Sequence, residues 1–134
     1  MNRRQFMAVS GGLALSGCAT TILYQTTVRR GRMAIDIGAY PELAKPGGAI
    51  LLAAEGMEAP VVLIRQDNRH FKALSSVCTH LGCSVRPSKR FLRCPCHGST
   101  YDLEGQVVRG PAQRALQTFE TRVSENRVEI VISG

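Results

Sequence analysis

Two short boxes dominate this chain: C-T-H-L-G-C from Cys78 to Cys83, and C-P-C-H-G-S from Cys94 to Ser99. They hold four of the five cysteines and two of the three histidines within twenty residues. A fold that carries this stretch must set two loops side by side around whatever joins them. Structural zinc takes thiolate and imidazole, usually at C-x-x-C or H-x-x-x-H spacing, whereas the spacing here is C-x-H and C-P-C-H. Two disulfides would use all four cysteines and leave His80 and His97 without a role. A cluster held by two thiolates and two imidazoles would use both residue types.

The rest of the chain is punctuated like a β-protein. Short runs rich in β-branched and aliphatic residues, separated by turn formers, predict strands at Met33–Ile37, Ala49–Ala53, Pro60–Arg65 and His70–Leu74. A tight hairpin is expected around Leu103-Glu104-Gly105-Gln106, and another from Leu116–Val123 through Ser124-Glu125-Asn126 to Arg127–Ile132. The alternation of Glu120, Arg122, Arg127 and Glu129 with apolar or small neighbours suits a half-exposed sheet. No helix of ten or more residues is expected after Tyr24. The fold class is all-β, as one domain over 33–134.

The N-terminal segment has a different texture. Asn2-Arg3-Arg4-Gln5-Phe6-Met7 resembles the twin-arginine export signal, and no charged residue occurs from Gln5 to Val28. Leu15-Ser16-Gly17-Cys18 resembles a bacterial lipobox, which would make residues 1–17 a cleaved signal and Cys18 a lipidation candidate. The competing reading is an uncleaved anchor over residues 6–24, near the ~20 residues a spanning helix needs. Residues 18–32 read as a polar tether. Either way the head is expected outside the cytoplasm, at a bacterial cell membrane.

The net charge of +7 falls to +5 if Arg3 and Arg4 leave with a signal. The remaining basic groups are Arg29, Arg30 and Arg32, and Arg86, Lys89, Arg90 and Arg93, which read as a basic loop between the two boxes. With no Trp, no interleaved aromatics and no recognition-helix pattern, nucleic acid is not an expected partner. An acidic protein or anionic lipid suits the charge better.

From Cys78 to Ala112 the sequence closely resembles the Rieske family, whose boxes read C-x-H-x-G-C and C-x-C-H-G-S. The resemblance extends over Met33 to Gly134. It implies an antiparallel β-sandwich with a cluster-binding subdomain of two loops, and one [2Fe-2S] cluster. By the same resemblance Cys78 and Cys94 hold one iron and His80 and His97 the other, while Cys83 and Cys96 pair as a disulfide tying the loops together. Ser99 and Tyr101 stand where high-potential members donate to a bridging sulfide and to a cysteine sulfur. Leu81 would cover the cluster, and Gly110-Pro111-Ala112 matches the family's proline-rich loop, with Gln113 in place of its usual further proline.

With two neutral imidazoles the oxidised centre carries no net charge, against −2 for four thiolates, which raises its potential. His97, with His80 beside it, is the carried-over candidate for meeting quinol and coupling a proton to the electron. The function implied is a membrane-tethered electron-transfer subunit of a bc-type quinol–cytochrome c oxidoreductase, with cytochrome b and cytochrome c type partners. The alternative is a stand-alone lipid-anchored carrier, or the small subunit of another periplasmic oxidoreductase such as a molybdenum oxidase. A ring-hydroxylating oxygenase would need a further mononuclear-iron domain, which 134 residues cannot hold.

Overall fold

The apolar runs in the middle of the chain become strands buried on both faces, and this places one sheet between two cores. The computed structural model describes residues 22–79 and 83–133. The signal and lipobox with Cys18, most of the anchor reading, and His80 and Leu81 lie outside the described residues.

The strands in chain order are β1 (Leu23–Thr26), β2 (Arg32–Asp36), β3 (Ala49–Ala54), β4 (Val61–Arg65), β5 (Phe71–Ser75), β6 (Arg86–Ser88), β7 (Phe91–Arg93), β8 (Thr100–Tyr101), β9 (Val107–Arg109), β10 (Thr118–Ser124) and β11 (Arg127–Val131). Two sheets result: seven strands ordered β1-β3-β4-β5-β10-β11-β2, and four ordered β6-β7-β8-β9. All pairings are antiparallel except β1 with β3.

Strand alternation explains the two cores. Met33 and Ile35 of β2, Ile50 and Leu52 of β3, Val61 and Leu63 of β4, and Val128 and Ile130 of β11 point into one apolar cluster, so the large sheet curls over itself as a sandwich. The intervening residues Leu51, Val62, Ile64 and Leu74 point the other way. They pack against Val85, Leu92, Tyr101 and Leu116 of the smaller subdomain, together with Cys78 and Cys94. Two-sided burial is why β3 and β4 read as continuous apolar runs rather than as alternation. Each fully buried Leu or Ile here contributes about 1.5–3 kcal/mol relative to exposure.

The structure revises the expected boundaries in four places. Residues 18–32 are not a tether throughout, because Leu23–Thr26 pairs in register with Leu51–Ala54 of β3. The Tyr24 hydroxyl donates to the Glu42 carboxylate at 2.9–3.0 Å and its ring meets Tyr40 edge-on, centroids 4.8 Å apart. Ile37 ends outside β2, since Asp36 caps a 3-10 turn by accepting from the Gly38 N–H at 3.1 Å. Leu116 belongs to the loop before β10; its N–H donates to the Gly105 carbonyl and its side chain fills the second core. Arg86–Arg93 is a β-hairpin, not a loop. Among the described residues no helix is long and apolar enough to cross a membrane.

Candidate metal centre

Both boxes are closed in the same way, each by a bond from its first amide to its last carbonyl. The Cys78 N–H donates to the Cys83 carbonyl at 2.6 Å, and the Cys94 N–H donates to the Ser99 carbonyl at 2.8 Å. The first loop is carried on β5, with a bridge from Val77 to Ser84 at its neck. The second hangs between β7 and β8, and it turns at Gly98, whose φ of +81° favours glycine; the Gly98 N–H returns to the Cys94 carbonyl at 3.0 Å.

A disulfide joins Cys83, at the neck of the first loop, to Cys96 in the second, so the two loops are tied to each other. The sulfurs of Cys83, Cys94 and Cys96 lie within 4.8 Å of one another. Two of these are spent in the disulfide, which leaves Cys94 as the one thiol of that trio. Cys78 and Cys94 lie outside the disulfide and are 3% and 2% exposed. Cys96 and the His97 side chain are exposed beside them.

Tyr101 is fully buried beneath the first loop. Its hydroxyl oxygen lies 3.3 Å from the Cys78 sulfur and 3.0 Å from the Thr79 hydroxyl, and it accepts from the Thr79 N–H at 3.1 Å. Burial, then the hydrogen bond to Cys78, push its pKa above the usual tyrosine value, while Thr79 works in the opposite direction. Tyr101 is therefore a neutral donor at ordinary pH. Ser99 is also fully buried, and its Oγ accepts from the Ala112 N–H at 3.1 Å. That bond leaves the hydroxyl proton to be given elsewhere. It also ties the Gly110–Pro111–Ala112 loop, which contains a cis Gly110–Pro111 peptide, to the second box. Gly110 and Pro111 themselves are exposed.

The sequence reading did not single out Thr79. Its Oγ1 donates to the Arg114 carbonyl at 2.7 Å and so fastens the first box to the loop after Ala112. The signal was a hydroxyl residue between Cys78 and His80, although its partner lies 35 residues away and has no sequence mark. His70 belongs to a different place: it is exposed in the β4–β5 turn, its Nδ1 2.8 Å from the Asp67 carboxylate.

The donor set suits a cluster with mixed sulfur and imidazole ligation. Two buried thiols sit one per loop, the other two cysteines are used as a brace, and a buried hydroxyl lies against the Cys78 sulfur. The Rieske [2Fe-2S] domain model matches residues 38–120. The chain belongs to the Rieske [2Fe-2S] family. Its cofactor is a Rieske-type [2Fe-2S] cluster and its chemistry is electron transfer.

Among similar proteins is the cytochrome b6-f complex iron-sulfur subunit of Cyanothece sp. (strain PCC 7425 / ATCC 29141), 33% identical over 96% of this chain and 83% of the relative. The subunit of the same description from Synechococcus elongatus is 34% identical over 94% of this chain and 81% of its own. Among solved structures, the cyanobacterial plasma membrane Rieske protein from Synechocystis PCC 6803 superposes with a TM-score of 0.51 at 29% identity, covering 75% of this chain and 86% of that one. A carbazole 1,9a-dioxygenase complex of oxygenase and ferredoxin includes a chain that matches with a TM-score of 0.60 at 22% identity, over 77% of this chain and 94% of its own, a likeness of fold.

Proposed function

We propose that this Rieske protein takes electrons at the quinol level and passes them to a cytochrome, as a membrane-tethered subunit of a bc-type complex. The observation that carries the reading is the buried Tyr101 hydroxyl against the Cys78 sulfur, with the Ser99 hydroxyl buried nearby. The relatives described as cytochrome b6-f subunits support the same reading.

In this reading Cys78 and Cys94 supply the thiolates, and His80 and His97 the imidazoles. The bound cluster supplies a one-electron couple whose potential rises when imidazole replaces two thiolates. Tyr101 and Ser99 donate hydrogen bonds toward sulfur, and such donors favour the more negatively charged, reduced form. Burial of both hydroxyls keeps water from competing for those bonds. The Cys83–Cys96 disulfide and the Ser99–Ala112 bond hold the loops in one geometry, so little reorganisation accompanies the electron. The exposed side chain of His97 suits it to meet quinol and exchange a proton. Cys18 carries the lipid anchor, with the head on the extracytoplasmic side.

A redox titration of the purified protein, followed by low-temperature EPR, tests this. A rhombic reduced-state signal with a midpoint in the positive part of the roughly −150 to +300 mV Rieske range is expected. A midpoint near the bottom of that range would remove the quinol reading and leave the carrier assignment. Bound zinc without the signal would remove the proposed ligand set.

One observation favours the second reading, a lipid-anchored carrier outside a bc-type complex. With β1 fastened to β3 and to Glu42, only Ala19 to Ile22 separates Cys18 from the folded head. That leaves the head little reach for shuttling between a quinol site and a cytochrome. Co-purification with a cytochrome b decides for the complex, and co-purification with a molybdenum subunit decides against it.

A further inference from the structure

The β6–β7 hairpin and the β1 edge enclose a half-open groove of about 830 Å³, within the size range of small-ligand sites. Its apolar side is formed by Leu23, Leu51 and Val85, and its polar side by Arg86 and Arg93, with Ser76 also in the lining.

Three features of this groove are unexplained by the metal centre. Arg86 and Arg93 are direct cross-strand partners, and like charges in that position repel. Among the described residues neither makes a hydrogen bond or ion pair with an acid. The Ser76 hydroxyl is fully buried without a hydrogen-bond partner, although buried hydroxyls are normally satisfied. Finally, Ile22 and Leu23 stand 54% and 46% exposed at the β1 edge.

A small anion between the two guanidiniums would turn their repulsion into a clamp. The apolar wall requires that the anion carry hydrocarbon. We propose that this groove binds the phosphate headgroup of an anionic phospholipid, with Arg86 and Arg93 on the phosphate and Leu23 and Leu51 against the first methylenes. The inference rests in part on the membrane-tethered reading. Five residues from Cys18 to Leu23 span at most about 18 Å, so an acyl group on Cys18 holds the groove at the bilayer surface. An acidic protein would engage the whole exposed hairpin, including Lys89 and Arg90, which do not line the groove.

The chain has no tryptophan, so Ile22→Trp, beside the groove but outside its lining, gives a unique fluorescent reporter. The full-length, cluster-loaded protein is placed in nanodiscs of phosphatidylcholine, with or without phosphatidylglycerol. With phosphatidylglycerol the emission should move to the blue and be quenched by brominated acyl chains. Arg86→Gln with Arg93→Gln should weaken that response about 25-fold, roughly fivefold per guanidinium at a surface. Lys89→Gln with Arg90→Gln removes the same charge from the same hairpin and should weaken it less than about threefold, because neither residue lines the groove and exposed charges that touch no ligand are screened by salt.

Equal loss in both double variants, or no response to phosphatidylglycerol, overturns the groove. Displacement by inorganic phosphate as effectively as by short-chain phosphatidylglycerol makes it a free-anion site and overturns the lipid. Displacement by stoichiometric polyglutamate assigns the surface to an acidic protein instead. If the protein enters no nanodisc, the tether reading fails on its own. Dihexanoyl phosphatidylglycerol in solution, against the same reporter, then decides the groove.

Discussion

The Tyr101 hydroxyl oxygen lies 3.3 Å from the Cys78 sulfur, in a site from which water is excluded. A hydrogen bond to a sulfur that gains negative charge on reduction is stronger in the reduced state. Tyr101→Phe keeps the ring in the second core and removes that bond together with the two the hydroxyl makes to Thr79. A hydrogen bond worth about 1–1.5 kcal/mol converts to roughly 40–60 mV for a one-electron couple. The midpoint should fall by that amount in a redox titration, with the reduced-state EPR line shape little changed. Ser99→Ala should lower it in the same direction. An unchanged midpoint in both variants would remove the hydroxyl argument.

Thr79 tests whether Tyr101 is held or merely present. Thr79→Val keeps the shape and deletes the hydroxyl that links Tyr101 to the Arg114 carbonyl. The midpoint should move less than in Tyr101→Phe. The folded state should lose about 1 kcal/mol, the usual worth of such a bond, measured by urea unfolding with unchanged m-value.

The tie between Cys83 and Cys96 spans 13 positions in sequence. Closing a loop of that size removes about 3 kcal/mol of unfolded-state entropy in the chain-entropy account. Replacing both cysteines by serine should therefore lower Tm by more than about 10 °C, since 1 kcal/mol shifts a domain of this size by roughly 4–8 °C. Iron content after purification should also fall, as the loops lose their brace.

The all-β class was legible because β3 to β5 and the β10–β11 hairpin carry strong apolar or alternating patterns bounded by turn formers. The two boxes were legible because cysteine and histidine at close spacing have few uses, and the disulfide implied by the family resemblance is present in the structure. β1 was not legible. Among the described residues Leu23-Tyr24-Gln25-Thr26 has one parallel partner strand, and what also holds it is a Tyr24–Glu42 bond across 18 residues. Nor was the hairpin of Arg86–Arg93. Its sequence is charged, and its single buried residue, Leu92, is too little to show a period. In the site, ligand-type residues were visible, whereas the backbone partners that position them, the Ala112 amide and the Arg114 carbonyl, carry no side-chain signature.

Gly48 fixes how the chain enters β3. A Cβ placed there would collide with the backbone carbonyl of Glu42, and it would also press on the Lys45 carbonyl at 3.2 Å. Backbone cannot swing aside as a side-chain tip can. Gly48→Ala should thus displace the 41–44 turn, withdrawing Leu43 from the core and Glu42 from Tyr24. A loss of about 2–3 kcal/mol is expected, within the range for overpacking. Faster amide exchange in β1 should accompany it. Exchange unchanged in β1 would mean that Glu42 does not hold that strand.

The β4–β5 turn offers a pH test away from the metal centre. Asp67 Oδ1 accepts from the Arg69 and His70 N–H groups, each at 2.8 Å, and the carboxylate also meets His70 Nδ1. The Arg69 N–H, followed by the His70 side chain, holds the Asp67 carboxyl below its ordinary value. A lowered folded-state pKa means that this contribution is fully present above the unfolded carboxylate value, near 3.9, and is lost as pH falls through the lower folded value. Asp67→Ala should accordingly lower Tm at neutral pH, and its gap from the parent protein should narrow steadily below about pH 4. Asp67→Asn retains an acceptor for the two amides and should show a smaller gap. Because both side chains are exposed, added salt should shrink the charge-dependent part. A gap that widened on acidification would reverse the sign of the assignment.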